Sequence, residues 1–154
     1  TTTEMDRQVG EALAQIAGLD INVYGNKMFK AASSVSGLTV DEIINTDLKT
    51  FKYGDSNMAI GQIVTMDFDE LLERKDEIVN KLNDMCEFGK FSVSLLFVTD
   101  VIKNGSYLFF NDNSEEILED AYGIKHADQG VYLDGMVSRK KQMLPPLLEL
   151  QEKR

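Results

Sequence analysis

The stretch "FSVSLLFVTDVI", residues 91–102, is the most apolar in the chain and the one that most restricts its fold. Its β-branched and aromatic residues favour extended backbone, and an unbroken apolar run offers no polar face to water. A strand of this kind has to be covered on both sides, so it belongs in the interior of a sheet with layers above and below. Asn104-Gly105 follows as a type I′ turn signal leading into "SYLFF", which predicts a hairpin partner directly after the strand. With 154 residues, 43% of them hydrophobic, the chain is long enough to enclose one such core.

The hydrophobic period changes along the rest of the chain. Thr3 can cap a helix running to about Ala17, with Met5, Val9, Ala12, Leu13 and Ile16 as its buried stripe and Gly18 as its stop. Asp20 opens a second helix to about Ser34, with Tyr24, Met28, Ala31 and Val35 on one side. Thr39 and Glu42 have capping-box spacing for a short helix. Residues 47–53 alternate, and residues 58–66 follow across Gly54-Asp55-Ser56-Asn57, which is a hairpin pattern. Asp67 and Glu70 predict another capping box and a long helix to about Phe88, with Glu70–Arg74 and Glu77–Lys81 pairing along its wet side. Asn113 with Glu116 predicts a helix to about Tyr122, and residues 130–133 a short strand. Pro145-Pro146 can begin a helix but not sit inside one, so "PPLLELQEK" reads as the last helix. Helices and hairpins intermix, so the expected class is α/β (α+β-like): a mixed β-sheet of about five strands with helices packed on its faces.

Charge removes several functions. A net charge of -10 argues against a nucleic-acid binder, which needs a broad basic face to displace counterions. No apolar run reaches membrane-spanning length. The single cysteine, Cys86, cannot form an internal disulfide and fits a reducing cytoplasm; on the inner side of the long helix it reads as core rather than nucleophile. The single histidine, His126, reads as a surface turn residue with no adjacent nucleophile or orienting acid. Zinc-ligand and EF-hand spacings are missing, and Asp67, Asp69 and Glu70 read as helix-start chemistry rather than metal ligands. Gly54-Asp55 and Gly61-Gln62 match no phosphate-loop pattern.

Against this acidic background, "VSRKKQMLPP" (residues 137–146) concentrates Arg139, Lys140 and Lys141 between a strand end and a rigid Pro-Pro. Arg139 offers a planar fork for two phosphate oxygens, Lys140 a point charge and Ser138 a hydroxyl. If Ser138 starts a helix, the next amides would also face an anion. Lys49, in "NTDLKTF", shares its strand face with Phe51 by period two, which places it beside apolar surface. A solvated charged loop and an ordinary edge-strand lysine are the plain alternatives for these two features.

"VSRKKQMLPPL" closely resembles the C-terminal signature of the family II, manganese-dependent inorganic pyrophosphatases, within the DHH phosphoesterase superfamily. "LAQIAGLDINVYGNKMFKAASSVSGLTVDEIINTDLKTF", "IGQIVTMDFDELLERKDEI" and "LLFVTDVIKNGS" resemble the same family in the same order, so the resemblance spans essentially the whole chain. It implies that residues 37–154 are the C-terminal, DHH-associated substrate-binding domain. Residues 1–36 are then a helical segment leading from an N-terminal catalytic domain. That domain would hold two metal ions, manganese or otherwise magnesium or cobalt, on Asp and His residues that include an Asp-His-His motif. This chain carries no such motif and starts at Thr1. The resemblance therefore implies a piece of a longer protein, with no metal ligand, cofactor or catalytic residue of its own, inactive by itself. It further implies that Lys49, Arg139 and Lys140 bind pyrophosphate, with Ser138, Lys141 and Gln142 in support. The implied partners are pyrophosphate and the DHH domain, and an exposed interdomain surface would favour homo-oligomers. A short-chain polyphosphatase of the same superfamily and a non-enzymatic module for an acidic partner are the alternatives.

Overall fold

The computed structural model describes residues 2–89, 91–124 and 128–153, so His126 lies outside the described residues. The chain divides into two compact units, Thr1–Ser34 and Val35–Arg154.

The first unit is a pair of helices, α1 (Glu4–Ala17) and α2 (Ile21–Ala32). Thr3 caps α1 in a capping box whose second member is Asp6: the Thr3 N–H donates to the Asp6 carboxylate at 2.8 Å, and the Asp6 N–H donates to Thr3 Oγ1 at 3.2 Å. Gly18, with φ 65°, closes the helix in the left-handed region. Asp20 Oδ1 caps α2 through the Asn22 and Val23 amides, and α2 stops at Ala32, short of Ser34. The expected buried stripe of α1 is not buried. Met5, Val9, Leu13 and Ile16 are exposed, as are Tyr24 and Met28 of α2. Periodicity identifies the apolar face and not what covers it. Val35, assigned by spacing to the α2 face, belongs instead to the core of the second unit.

In the second unit β1 (Lys49–Tyr53), β2 (Ser56–Val64), β3 (Phe91–Asp100), β4 (Gly105–Phe110) and β5 (Val131–Asp134) stand in chain order in one five-stranded sheet. Neighbours are antiparallel except β2 and β3, which are parallel because the chain crosses over through α4 (Phe68–Glu73) and α5 (Lys75–Gly89). The central strand is β3, buried from Val93 to Asp100. Its side chains alternate between two cores. Leu96 and Val98 join Ile43, Ile44, Leu71, Ile78, Leu82 and Phe109 under α3 (Val40–Asn45), α4 and α5. Leu95 and Phe97 join Met58, Ile60, Leu108, Leu118, Met143 and Leu147 under α6 (Glu115–Tyr122) and α7 (Leu144–Lys153). A mixed sheet with helices on both faces is the expected class.

Several local expectations are corrected. The β3–β4 connection is a four-residue turn over residues 101–104 rather than a two-residue type I′ turn. Asn104 takes the positive φ of 57°, while Asp100 Oδ1 accepts from the Ile102 and Lys103 amides. Gly105 is needed for space: a Cβ there would lie 2.3 Å from the Tyr132 hydroxyl. The β1–β2 turn is tighter than expected, at Gly54-Asp55, with Tyr53 opposite Ser56. Asp67 makes no side-chain cap, its own N–H, which Glu70 would meet in a capping box, donates to Thr65 Oγ1, and the long helix breaks at Arg74. Arg74 donates to the Leu38 carbonyl at 2.7 Å and pairs with Glu77, and Lys81 pairs with Asp41, in place of the pairs expected along the helix. Asn113 caps nothing at α6, which begins after a short 3₁₀ turn, Asp112–Ser114. Among the described residues no helix is long and apolar enough to cross a membrane.

Candidate functional site

β5 ends at Asp134, and Gly135, with φ 70°, turns the chain into a loop over residues 135–138. Side chains from two strands hold this loop from below, and one from a third braces them. Ser106 Oγ on β4 donates to the Met136 carbonyl at 2.6 Å. Gln62 Nε2 on β2 donates to the Val137 carbonyl at 3.1 Å and to Thr99 Oγ1 at 2.8 Å. Thr99 and Ser106 are buried, with their hydroxyls 2.9 Å apart. The one Ser106 proton is used on Met136, so Thr99 must donate to Ser106 while accepting from Gln62. From above, Gln142 Oε1 accepts from the Val137 and Ser138 amides at 3.0 and 2.9 Å, and its Nε2 donates to the Gly135 carbonyl at 2.6 Å. The backbone leading into the basic run is thus fixed on both sides.

Ser138 starts a helix. The Lys141 amide donates to Ser138 Oγ at 3.3 Å, and the Ser138 carbonyl accepts from both Gln142 and Met143 amides. Residues Arg139–Met143 form a π-helical turn that runs straight into α7. Pro145 and Pro146 therefore do not begin the helix but lie within it. Their rings bring no N–H and crowd the carbonyls four residues back, and the wider π turn just before them relieves that crowding.

Arg139 is 8% exposed. Its Nη2 donates to Asp47 Oδ2 at 2.7 Å, and its Nη1 donates to the Ile60 carbonyl at 3.2 Å and to the Asp47 carbonyl. Lys49 begins β1 two residues after Asp47, with Nζ 4.0 Å from Asp47 Oδ1 and the side chain 60% exposed. An ion pair at that distance and exposure contributes about 0–1 kcal/mol, so Lys49 is free to move to a ligand. Lys49, Ser138, Arg139 and Lys140 line one open cleft of about 490 Å³, with Gln62 and the apolar Phe51, Val137 and Leu144. Lys49 and Phe51 share a wall, as their alternation implies. The lining holds three cationic side chains and no carboxylate, on a partly apolar floor that weakens solvent screening. Lys141 and Gln142 are not part of the lining; Gln142 braces the loop behind it.

Asp47 and Gln62 were not among the residues singled out from the sequence. A glutamine inside the apolar run of β2 was the available signal for Gln62, because a polar side chain in a buried strand needs a partner. Cys86 is half-buried, with Sγ 3.3 Å from Ser94 Oγ, and burial pushes its thiol above the ordinary value, which opposes thiolate formation. Among the described residues no group of three or more His, Cys, Asp and Glu side chains could hold a metal ion.

An α/β domain with a cationic, carboxylate-free cleft at a helix start has the chemistry of an anion-binding domain. The chain belongs to the DHHA2 domain family, whose model matches residues 26–150. It is 38% identical, over 96% of its length, to a probable manganese-dependent inorganic pyrophosphatase of Clostridium acetobutylicum, of which it covers 47%. A cobalt-dependent inorganic pyrophosphatase of Clostridium perfringens is 34% identical and covered to 27%. A crystal structure described as a Methanococcus jannaschii family II inorganic pyrophosphatase superposes with a TM-score of 0.75 at 33% identity, over 97% of this chain and 49% of that one. The chain thus spans about half the length, or less, of these relatives. Its described residues do not by themselves fit the manganese or cobalt in the relatives' names.

Proposed function

We propose that this chain is the substrate-holding part of a manganese-dependent inorganic pyrophosphatase, in which Lys49, Arg139 and Lys140 grip pyrophosphate. The observation that carries the reading is the cleft itself. Lys49 at the start of β1 and the Arg139-Lys140 pair beyond β5 line it together, with no acid in its wall. Pyrophosphate is a dense polyanion, and its hydrolysis needs the charge on both phosphates balanced as the bridging bond breaks. Arg139 supplies a two-point donor and the two lysines supply mobile charges. Ser138, Lys141 and Gln142 support them, Gln142 through its hold on the loop. Residues 37–154 form the substrate domain and residues 1–36 lead to a companion DHH domain. Metal ions held by that companion domain would supply an activated water. This chain's residues bind, orient and neutralise the substrate, and meeting the companion excludes bulk water. The lone Cys86 is consistent with a cytoplasmic setting.

The test is calorimetric titration of pyrophosphate, tripolyphosphate and sulfate into the chain. Saturable binding that favours pyrophosphate, and is weakened but still measurable in Arg139→Ala, is expected. A preference for tripolyphosphate would redirect the assignment to a polyphosphatase, and unaltered binding in Arg139→Ala would overturn it. Added manganese and pyrophosphate should release no phosphate until a DHH domain is supplied.

A further inference from the structure

We infer that Asp47 is the positioning residue of the cleft, setting the edge of the Arg139 guanidinium that a ligand meets. The inference rests on the reading of the cleft as a pyrophosphate site. A guanidinium has five N–H donors in one plane. The Asp47 carbonyl and the Ile60 carbonyl engage Nη1, and Asp47 Oδ2 engages Nη2. These acceptors take both Nη1 protons and one proton of Nη2. The Nε–H and the second Nη2–H, on the edge shared by Nε and Nη2, have no acceptor among the described residues. That edge is the two-point donor for a phosphate, and Arg139 lines the cleft.

Asp47 is itself absent from the cleft lining, so it holds the arginine from behind rather than meeting the anion. The same carboxylate faces the second cation, with Oδ1 4.0 Å from Lys49 Nζ. That pair is solvated and leaves Lys49 free to move, so the acid fixes the arginine alone. A buried arginine without a fixed acceptor would turn its donors to whatever carbonyl is nearest, and the fork would be lost.

Position and charge are separable by substitution. Asp47→Asn keeps an acceptor oxygen in place and removes the charge. Asp47→Glu keeps the charge and displaces the oxygen by one methylene. With pyrophosphate as the calorimetric probe and each variant's melting temperature recorded, Asp47→Asn should bind within about threefold of the parent chain, or tighter, and Asp47→Glu about tenfold weaker. In an Arg139→Ala background Asp47→Glu should change affinity by less than about twofold, since its effect runs through the arginine. Parent-like binding by Asp47→Glu, or an equal loss with and without Arg139, would overturn the proposal alone. Parent-like binding by Arg139→Ala would instead overturn the reading of the cleft, and this proposal with it.

Discussion

On the side of α3, α4 and α5 the sheet is closed, with Leu96, Val98 and Phe109 fully buried. On the side of α6 and α7, Leu95, Phe97 and Leu108 are buried as deeply, but β1 carries the half-buried Phe51 and the exposed Lys49 into an open cleft. The first face satisfies itself by hydrophobic cover. On the second face the cover begins as a π turn whose start places Arg139 and Lys140, and the gap is edged by cations instead of methyl groups. Leaving an aromatic side chain such as Phe51 half covered forgoes about 1 kcal/mol of burial, a small cost for a site.

Four substitutions can sharpen or break this contrast. Phe109→Ala on the closed face should cost about 3–5 kcal/mol by chemical denaturation, with pyrophosphate affinity of the folded protein unchanged. Loss of affinity there would mean that the two faces are not independent. Arg139→Ala should weaken pyrophosphate binding by about 2–3 kcal/mol, and in an enzyme with its DHH domain should lower kcat/KM by a similar factor. Lys49→Ala should weaken binding by about 1 kcal/mol and leave stability within about 0.5 kcal/mol, because its pair with Asp47 is solvated. Thr39→Ala should remove the α3 cap, lowering stability by about 1 kcal/mol without touching binding.

The smallest expected effect is one of pH. Hydrogen bonds from the Thr39 backbone N–H and hydroxyl hold the Glu42 carboxyl below its ordinary value of 4.5. A lowered folded value means the contribution is present above that ordinary value and lost as pH falls through the depressed one. Stability should therefore fall with acid below about pH 4.5, and Glu42→Gln should flatten part of that slope in pH-dependent melts.

The sequence made some of this legible and not the rest, for physical reasons. β3 could be read because a run buried on both faces has few other homes. The cations could be read because three in succession stand out at a net charge of -10. The α1 stripe was correct in period but not in burial, because periodicity names a face and not what covers it. Asp67 has the spacing of a cap, but its carboxylate accepts from no amide of the helix start and its own N–H donates to Thr65. Asp47 and Gln62 act through partners 92 and 75 residues away, and local spacing carries no trace of such contacts. The helix opens at Ser138 with the π turn and runs on through two prolines, and the prolines alone pointed to a later start.

The most direct test is to titrate pyrophosphate into isotopically labelled chain and follow the backbone amide resonances. The account predicts saturable shifts concentrated at Lys49, Gln62 and residues 137–140, with the α3–α5 face silent. Shifts centred elsewhere, or none that saturate, would contradict it.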